Sequence, residues 1–341
     1  MSITPGAIRF NTDSMKLEYY RGGPVGFGTT TTTGEWVNIT TDSPDIQTGG
    51  ARGVFGGGFT PGATNVIDYI TISTTGNATY FGDLTTAYRS SGQCSSRTRG
   101  VLAGGYTIPA GNNRSDIEYI TISSTGNSID STFDLTVSRH NIAAFSSSTR
   151  GIFFGGVVSV PGYTNTIDYI TIASIGNAVD FGDATNDQGM SGCSSSTRGV
   201  FGGGVNNGSS INFVTIATLG NASTFGSLAI QAASSKGSCS NSIRGLFADG
   251  DANTNTIEFL TISTLGNTQD FGDLTAGTRS GLSAASSPTR GAFAGGGNPV
   301  AVNIIDYVTI MTTGNAVDFG DLTAARSYGY GGMSNGHGGL G

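Results

Sequence analysis

Arg52-Gly-Val-Phe-Gly-Gly-Gly58, then a variable loop, Ile67-Asp-Tyr-Ile-Thr-Ile72, the pair Gly76-Asn77 and Phe81-Gly-Asp-Leu84 make up one block, and this block recurs along the chain. Its Arg-Gly pairs begin at Arg52, Arg99, Arg150, Arg198, Arg244 and Arg290, at spacings of 47, 51, 48, 46 and 46 residues. That period is the length of a four-stranded propeller blade. Within a block, apolar and polar residues alternate in short runs bounded by Gly, Asn, Ser and Thr, the pattern of strands and not of helices. The last complete block reads as strands at 281–287, 291–295, 304–310 and 316–322. The expected fold is therefore all-β, a β-propeller of four-stranded blades.

Composition narrows the class. Of 341 residues only 11% are charged and 36% are hydrophobic, while Gly alone contributes 56. The surface must be mostly hydroxyl and amide, and a period running almost end to end leaves no room for a separate catalytic domain. A net charge of −7 with no Lys/Arg run argues against nucleic acid as a partner. No segment is apolar enough to insert in a membrane, and the Met1 end lacks the charged and apolar regions of a signal peptide, so the expected site of synthesis is the cytoplasm.

The repeat divides the chain into an N-terminal β motif at 1–40 and propeller repeats at 41–341. The expected blades span about 41–87, 88–137, 138–186, 187–229, 230–276 and 277–324, with closing strands at 325–341. The ends carry complementary leftovers. Residues 326–341 match a first strand and the start of a second, with His337-Gly338 where Arg-Gly stands elsewhere. Lys16-Leu-Glu-Tyr-Tyr20 and Gly34-Glu-Trp-Val-Asn-Ile39 match strands three and four. This predicts seven blades, the last assembled from both termini so that no sheet edge stays open. The alternative is six blades plus a separate N-terminal β motif.

Cys94, Cys193 and Cys239 each lie five residues before their repeat's arginine, where Gln47, Phe145 and Ala285 stand in other blades. Equal phase means equivalent sites in three blades, so free structural thiols are expected. With only His140 and His337 and no recurring ligand spacing, no metal and no cofactor are expected. The Gly-Asn pairs are read as tight links between strands three and four. The glycine run at 56–58 is read as a close approach of backbones, since a phosphate cradle needs a helix after it.

An acidic residue recurs in strand three: Glu18, Asp68, Glu118, Asp168, Glu258 and Asp306, with Asn212 the exception. Cation binding or acid–base chemistry is one reading, and a hydrogen bond or ion pair to a neighbouring strand or arginine is the other. Recurrence in blade after blade favours the second, because an active site breaks symmetry. The sialidase box Ser-x-Asp-x-Gly-x-Thr-Trp is absent, and no enzymatic activity is expected.

Two faces are candidates for binding. Arg52, Arg99, Arg150, Arg198, Arg244 and Arg290, joined by His337, should ring the face that also carries the Gly-Asn links, either as a docking surface or as braces between blades. The opposite face carries the loops between strands two and three, which vary most. There Phe59, Tyr106, Arg114 and Tyr163 are candidate ligand contacts, their aromatic faces suited to a sugar ring; plugs in the packing are the alternative.

The block resembles the kelch repeat: a Gly-Gly doublet closing strand two (Gly104-Gly105), a Tyr in strand three (Tyr119), an aromatic in strand four (Phe81, Phe319), then an arginine opening the next blade (Arg89, Arg139, Arg279, Arg326). The likeness covers about residues 41–341 and implies the propeller fold. It departs at Asp249-Gly250, which replaces the doublet, and in strand four, where Phe stands for the kelch Trp, so no kelch partner is carried over.

The opening Pro5-Gly-Ala-Ile-Arg-Phe-Asn-Thr-Asp-Ser-Met-Lys-Leu-Glu-Tyr-Tyr20 with Gly34-Glu-Trp-Val-Asn-Ile39 looks like a short β motif of tailed-bacteriophage fibre proteins. The repeats, with Ser-Thr-Arg-Gly-Val-Phe-Gly-Gly-Gly and Gly-Asn-Ala-x-Asp-Phe-Gly-Asp-Leu, and the ending at 334–340, are similar to kelch-like virion proteins of marine cyanobacterial phages. The resemblance implies a virion structural protein, present in several copies and associated with the tail or fibre, whose partners are other virion proteins or a host-surface glycan. The other role it leaves open is a capsid or neck decoration protein.

Overall fold

In a computed structural model, the structure describes residues 7–11, 16–21, 35–38 and 51–340, apart from 160–161, 185–188, 206–207, 231–235, 249–253 and 298. Gln47, Asp249 and Gly250 lie outside these. The chain divides into two compact units, 1–47 and 48–341.

The first unit holds a three-stranded antiparallel sheet of β1 (Ile8–Asn11), β2 (Lys16–Arg21) and β3 (Glu35–Asn38), in that order. Arg9 pairs with the buried Glu18 at 2.8 Å and lies over the Trp36 ring, which meets Tyr20 edge-on.

The second unit is a β-propeller of six four-stranded antiparallel blades. In blade 2 the strands from the axis outward are Gly92–Ser95, Arg99–Ala103, Asp116–Thr121 and Ile129–Asp134. Blades 3 to 6 repeat this order, with innermost strands Ala143–Ser146, Ser191–Ser194, Gly237–Ser240 and Ser283–Ser286. Blade 1 takes Arg52–Gly56, Val66–Thr71 and Thr79–Asp83 from one end of the repeat array, and its innermost strand, Met333–Ser334, from the other.

The seven-blade expectation is thereby corrected to the six-blade alternative. The leftover strand at the end of the array is the first strand that blade 1 needs, pairing Met333 with Val54 and Ser334 with Gly53. The strands at 16–21 and 35–38 satisfy their hydrogen bonds in their own sheet. His337 does not open a further blade; Arg52-Gly53 already occupies that phase. Asn335 Oδ1 accepts the Arg52 N–H at 2.8 Å, as Asn241 Oδ1 accepts from Arg244 within blade 5. The turn between strands one and two is thus rebuilt across the junction of the ring.

Apolar side chains pack between blades. A phenylalanine or leucine at the fourth position of each second strand (Phe55, Leu102, Phe153, Phe201, Phe247, Phe293) is fully buried, each contributing roughly 1.5–3 kcal/mol. One cluster joins Phe55, Ile70 and Ile72 of blade 1 to Ala285, Ala292, Ile305 and Phe319 of blade 6, so the closing interface has the same core as the rest. The glycine after each repeat arginine makes these contacts possible: a Cβ on Gly100, Gly151, Gly245 or Gly291 would lie 2.5 to 2.7 Å from the sulfur of Met333, Cys94, Cys193 or Cys239 in the preceding blade. The cysteines are free and buried, as expected, and burial pushes the Cys193 thiol up to about 12.

A closed ring of serines surrounds the axis. Ser95 Oγ donates to Ser334 O, Ser334 to Ser286, Ser286 to Ser240, Ser240 to Ser194, Ser194 to Ser146 and Ser146 back to Ser95, at 2.6 to 2.9 Å. Below it the chain turns inward. His337 Nε2 donates to Ser95 O at 2.8 Å while Nδ1 accepts the Gly339 N–H at 3.1 Å, and Arg97 holds Leu340 O. Gly338 and Gly339 lie so close to Asn241 O and Ser146 O that no side chain fits. This segment plugs one end of the axis.

Candidate functional site

On the face carrying the Gly-Asn links, the arginine ring is built as a brace. Each guanidinium lies over the strand-three aromatic of its own blade, Arg52 on Tyr69 at 4.4 Å and Arg198 on Phe213 at 4.6 Å. Each then donates to carbonyls at the end of strand three in the following blade. Arg99 reaches Ile172 O and Ala173 O, and Arg150 reaches Ile216 O and Ala217 O. Arg244 reaches Ile310 O, and Arg290 crosses the junction to Ile72 O and Ser73 O. His337 is not part of this ring.

The strand-three carboxylates are braces as well. Asp168, fully buried, accepts from Thr136 N and Oγ1 and pairs with Arg139 at 3.0 Å. Asp306 pairs with Arg279, and Asp68 with Arg326 at 3.0 Å. Glu258 meets Lys236 at 3.4 Å. In each of these ion pairs the cation comes from the connector leaving the previous blade. Glu18 belongs to the other sheet. Among the described residues no cluster of three or more His, Cys, Asp or Glu is placed to hold a metal, and no helix is long and apolar enough to cross a membrane.

The connector from blade 1 to blade 2 breaks the pattern. Counting back from the start of the innermost strand (Gly92, Ala143, Ser283), Tyr88 stands where Arg139 and Arg279 stand, and Arg89 is one residue on, in the phase of His140 and Ser280. Tyr88 is buried in the arginine's place. Glu118 instead pairs with Arg114, which reaches in from the loop between strands two and three, bonds Asp116 and Glu118 at 2.8 Å each, and stacks on Tyr88 at 4.1 Å. Arg114, a candidate ligand contact, is thereby committed to an internal ion pair.

Arg89 is displaced toward the loop face. Its backbone pairs with Tyr106, and its guanidinium lies 5.3 Å from the Phe59 ring, 5.7 Å from Tyr106 and 4.9 Å from Tyr328. Phe59 and Tyr106 occupy the same place in adjacent blades, directly after the glycine doublet, and each pairs there with the connector that enters its blade. Tyr328 comes from the connector into blade 1 and meets Phe59 edge-on. His140, from the connector into blade 3, packs on Tyr106 at 4.7 Å. Burial and the nearby Arg89 charge lower its pKa to about 4, so it is neutral near pH 7. Its Nδ1–H donates to Asn113 Oδ1 at 2.6 Å, and Asn113 Nδ2 donates to Val157 O and Val158 O.

The structure therefore brings Phe59 and Tyr106 together and turns Arg114 inward. Tyr163 sits elsewhere, paired with Val157 in the hairpin of blade 3. Arg89, Tyr328 and His140 complete the cluster. The sequence signal for it is the Tyr88-Arg89 order where the connectors into blades 1, 3 and 6 place arginine first. No protein-family model matches the chain, and no curated protein matches it either.

Proposed function

We propose that this chain is a non-enzymatic virion structural protein of a tailed bacteriophage, a kelch-like propeller on the tail or fibre that recognises a host-surface glycan through its loop face. The resemblance of the N-terminal motif and of the repeats to phage appendage and cyanophage virion proteins supports the virion setting. The observation that carries the recognition role is the contrast between the faces. The arginines of the regular face are spent on neighbouring carbonyls, whereas the loop face presents a part-exposed arginine among aromatic rings that, among the described residues, only one blade junction has. The buried, braced carboxylates support a role without catalysis. Many copies per particle would turn weak contacts into firm attachment.

One observation favours the second reading, a capsid or neck decoration protein. Leu219, Ile243 and Leu265, more than half exposed, stand on the regular face of blades 4 and 5 as apolar surface for docking. Particles made with and without the protein decide between the two. Density missing at a fibre or baseplate tip together with lost adsorption is expected. Density missing on the head or neck with normal adsorption gives the decoration role instead, and unchanged particles refute the virion setting.

A further inference from the structure

The surroundings of Arg89 define a ligand more narrowly. Among the described residues, every other arginine whose side chain is described donates to a carboxylate or a carbonyl. Arg9, Arg114, Arg139, Arg279 and Arg326 meet acids, while Arg97 and the repeat arginines meet backbone oxygens. Arg89 has aromatic rings around its guanidinium and no acceptor, and its buried Nε is unpartnered, as is the buried Oγ of its neighbour Ser90. A buried guanidinium N–H without an acceptor costs free energy that a ligand oxygen can offset.

The walls indicate what carries the anion. Phe59, Tyr106 and Tyr328 are each part-exposed and offer flat apolar faces beside the charge. Tyr328 is held at φ 56°, a left-handed conformation; the same connector position is Gly281 and Asn141 in two other blades, residues that adopt it more readily, and Ser90 in a third. A bulky aromatic kept at a strained position points to a use for its ring. His140, neutral, adds no competing charge, and among the described residues no carboxylate contacts Arg89.

We propose that Arg89, Phe59, Tyr106 and Tyr328 form a binding site for a carboxylate-bearing saccharide. The carboxylate accepts hydrogen bonds from the guanidinium, and the sugar's C–H face lies on the rings. The planar fork of arginine matches a carboxylate in two-point contact. This deepens the glycan-recognition reading and rests on it.

The test is titration calorimetry of the whole chain with oligogalacturonate, with its methyl ester, which keeps the rings and removes the charge, and with inorganic phosphate. The acid form should bind at least about tenfold more tightly than the ester, and Arg89→Gln should remove about that factor, the scale of one charge-assisted contact. Tyr328→Gly restores the residue that blade 6 uses at this phase; it should weaken binding several-fold while leaving the melting temperature unchanged or higher. Equal binding of acid and ester, binding undiminished in Arg89→Gln, or no binding overturns the proposal. Phosphate binding as tightly as the sugar acid reduces the site to a plain anion site and overturns it too. Adsorption of particles carrying Arg89→Gln separates the two levels. Acid binding lost with adsorption intact refutes the recognition reading and leaves the site. Adsorption lost when the protein never bound the acid refutes the site and leaves the reading.

Discussion

The glycine of each Arg-Gly pair shows how one residue fixes the spacing between blades. A Cβ on Gly245 would lie 2.5 Å from Cys193 Sγ, closer than packed atoms allow. Gly245→Ala should therefore destabilise the propeller by about 1–3 kcal/mol, the usual cost of overpacking. The same interface at the ring junction pairs Gly53 with Ala285, where a Cβ would stand 3.1 Å away. Adding Cys193→Ala to Gly245→Ala should then recover most of the loss, so that the pair is strongly non-additive in denaturant unfolding. Losses that simply add would place the strain elsewhere. The sequence showed both residues as recurring, with Phe145 and Ala285 at the cysteine phase in other blades. That glycine and cysteine face each other across blades was not legible, because a repeat aligned on itself shows equivalent positions and hides which position of one copy meets which position of the next.

The same limit governs the elements. The Gly-Asn pairs read as hairpin chemistry, yet strands three and four in blade 1 end at Thr71 and resume at Thr79, too far apart for a two-residue turn. The pair works between blades: Gly126 N donates to Phe81 O, Asn127 Oδ1 accepts from Asp83 N, and a Cβ on Gly82 would strike Gly126 O. Phe-Gly-Asp in strand four and Gly-Asn in the next blade are two halves of one contact. The connectors are a second interface of this kind, joining Arg139 to Asp168 with both side chains fully buried. Arg139→Met should cost roughly 3–5 kcal/mol, since it strands a buried carboxylate. Unfolding in urea measures this; a loss below about 1 kcal/mol would mean that Thr136 alone satisfies Asp168. Arg89 was legible as a kelch-type arginine opening a blade, but its departure from the brace was not, because the one-residue displacement by Tyr88 becomes meaningful only when Arg114 is seen filling the vacated place.

At the scale of the whole molecule, closure depends on a short stretch near the end of the chain. Ser334 both accepts from Ser95 and donates to Ser286, so the serine ring exists only when Met333–Ser334 is seated in blade 1. Ser334→Ala leaves the buried Ser286 carbonyl and the Gly336 N–H without that hydroxyl, a loss of about 1–3 kcal/mol on the scale of buried unsatisfied groups. It should appear as a lower melting temperature of the whole propeller rather than as a separate early transition. The blade count was misread because matching residues at the two ends were assumed to complete each other, whereas each end finds its hydrogen bonds separately.

The plug beneath that ring adds a pH dependence whose direction follows from His337. Burial lowers its pKa from 6.5 to about 4, with the Arg97 charge acting in the same sense and the Ser95 carbonyl opposing. The neutral ring fits its site, with Nε2 donating to Ser95 O and Nδ1 accepting from Gly339 N; protonation would set two donors against each other. Above about pH 6.5 both folded and unfolded chains hold the ring neutral, and the full stability is present. As the pH falls toward 4 the unfolded chain takes up a proton that the folded one refuses, so stability declines across that window, and below it this group adds nothing further. His140, lowered to about 4 by burial and by Arg89, acts in the same direction. Denaturant midpoints measured from pH 7.5 to 4 should therefore fall steadily. His337→Gln, which can still donate to Ser95 O, should flatten part of the slope, and His140→Asn combined with it should flatten more. A slope unchanged in the double variant would assign the acid sensitivity to groups other than these two histidines and leave the plug seated at every pH in the range.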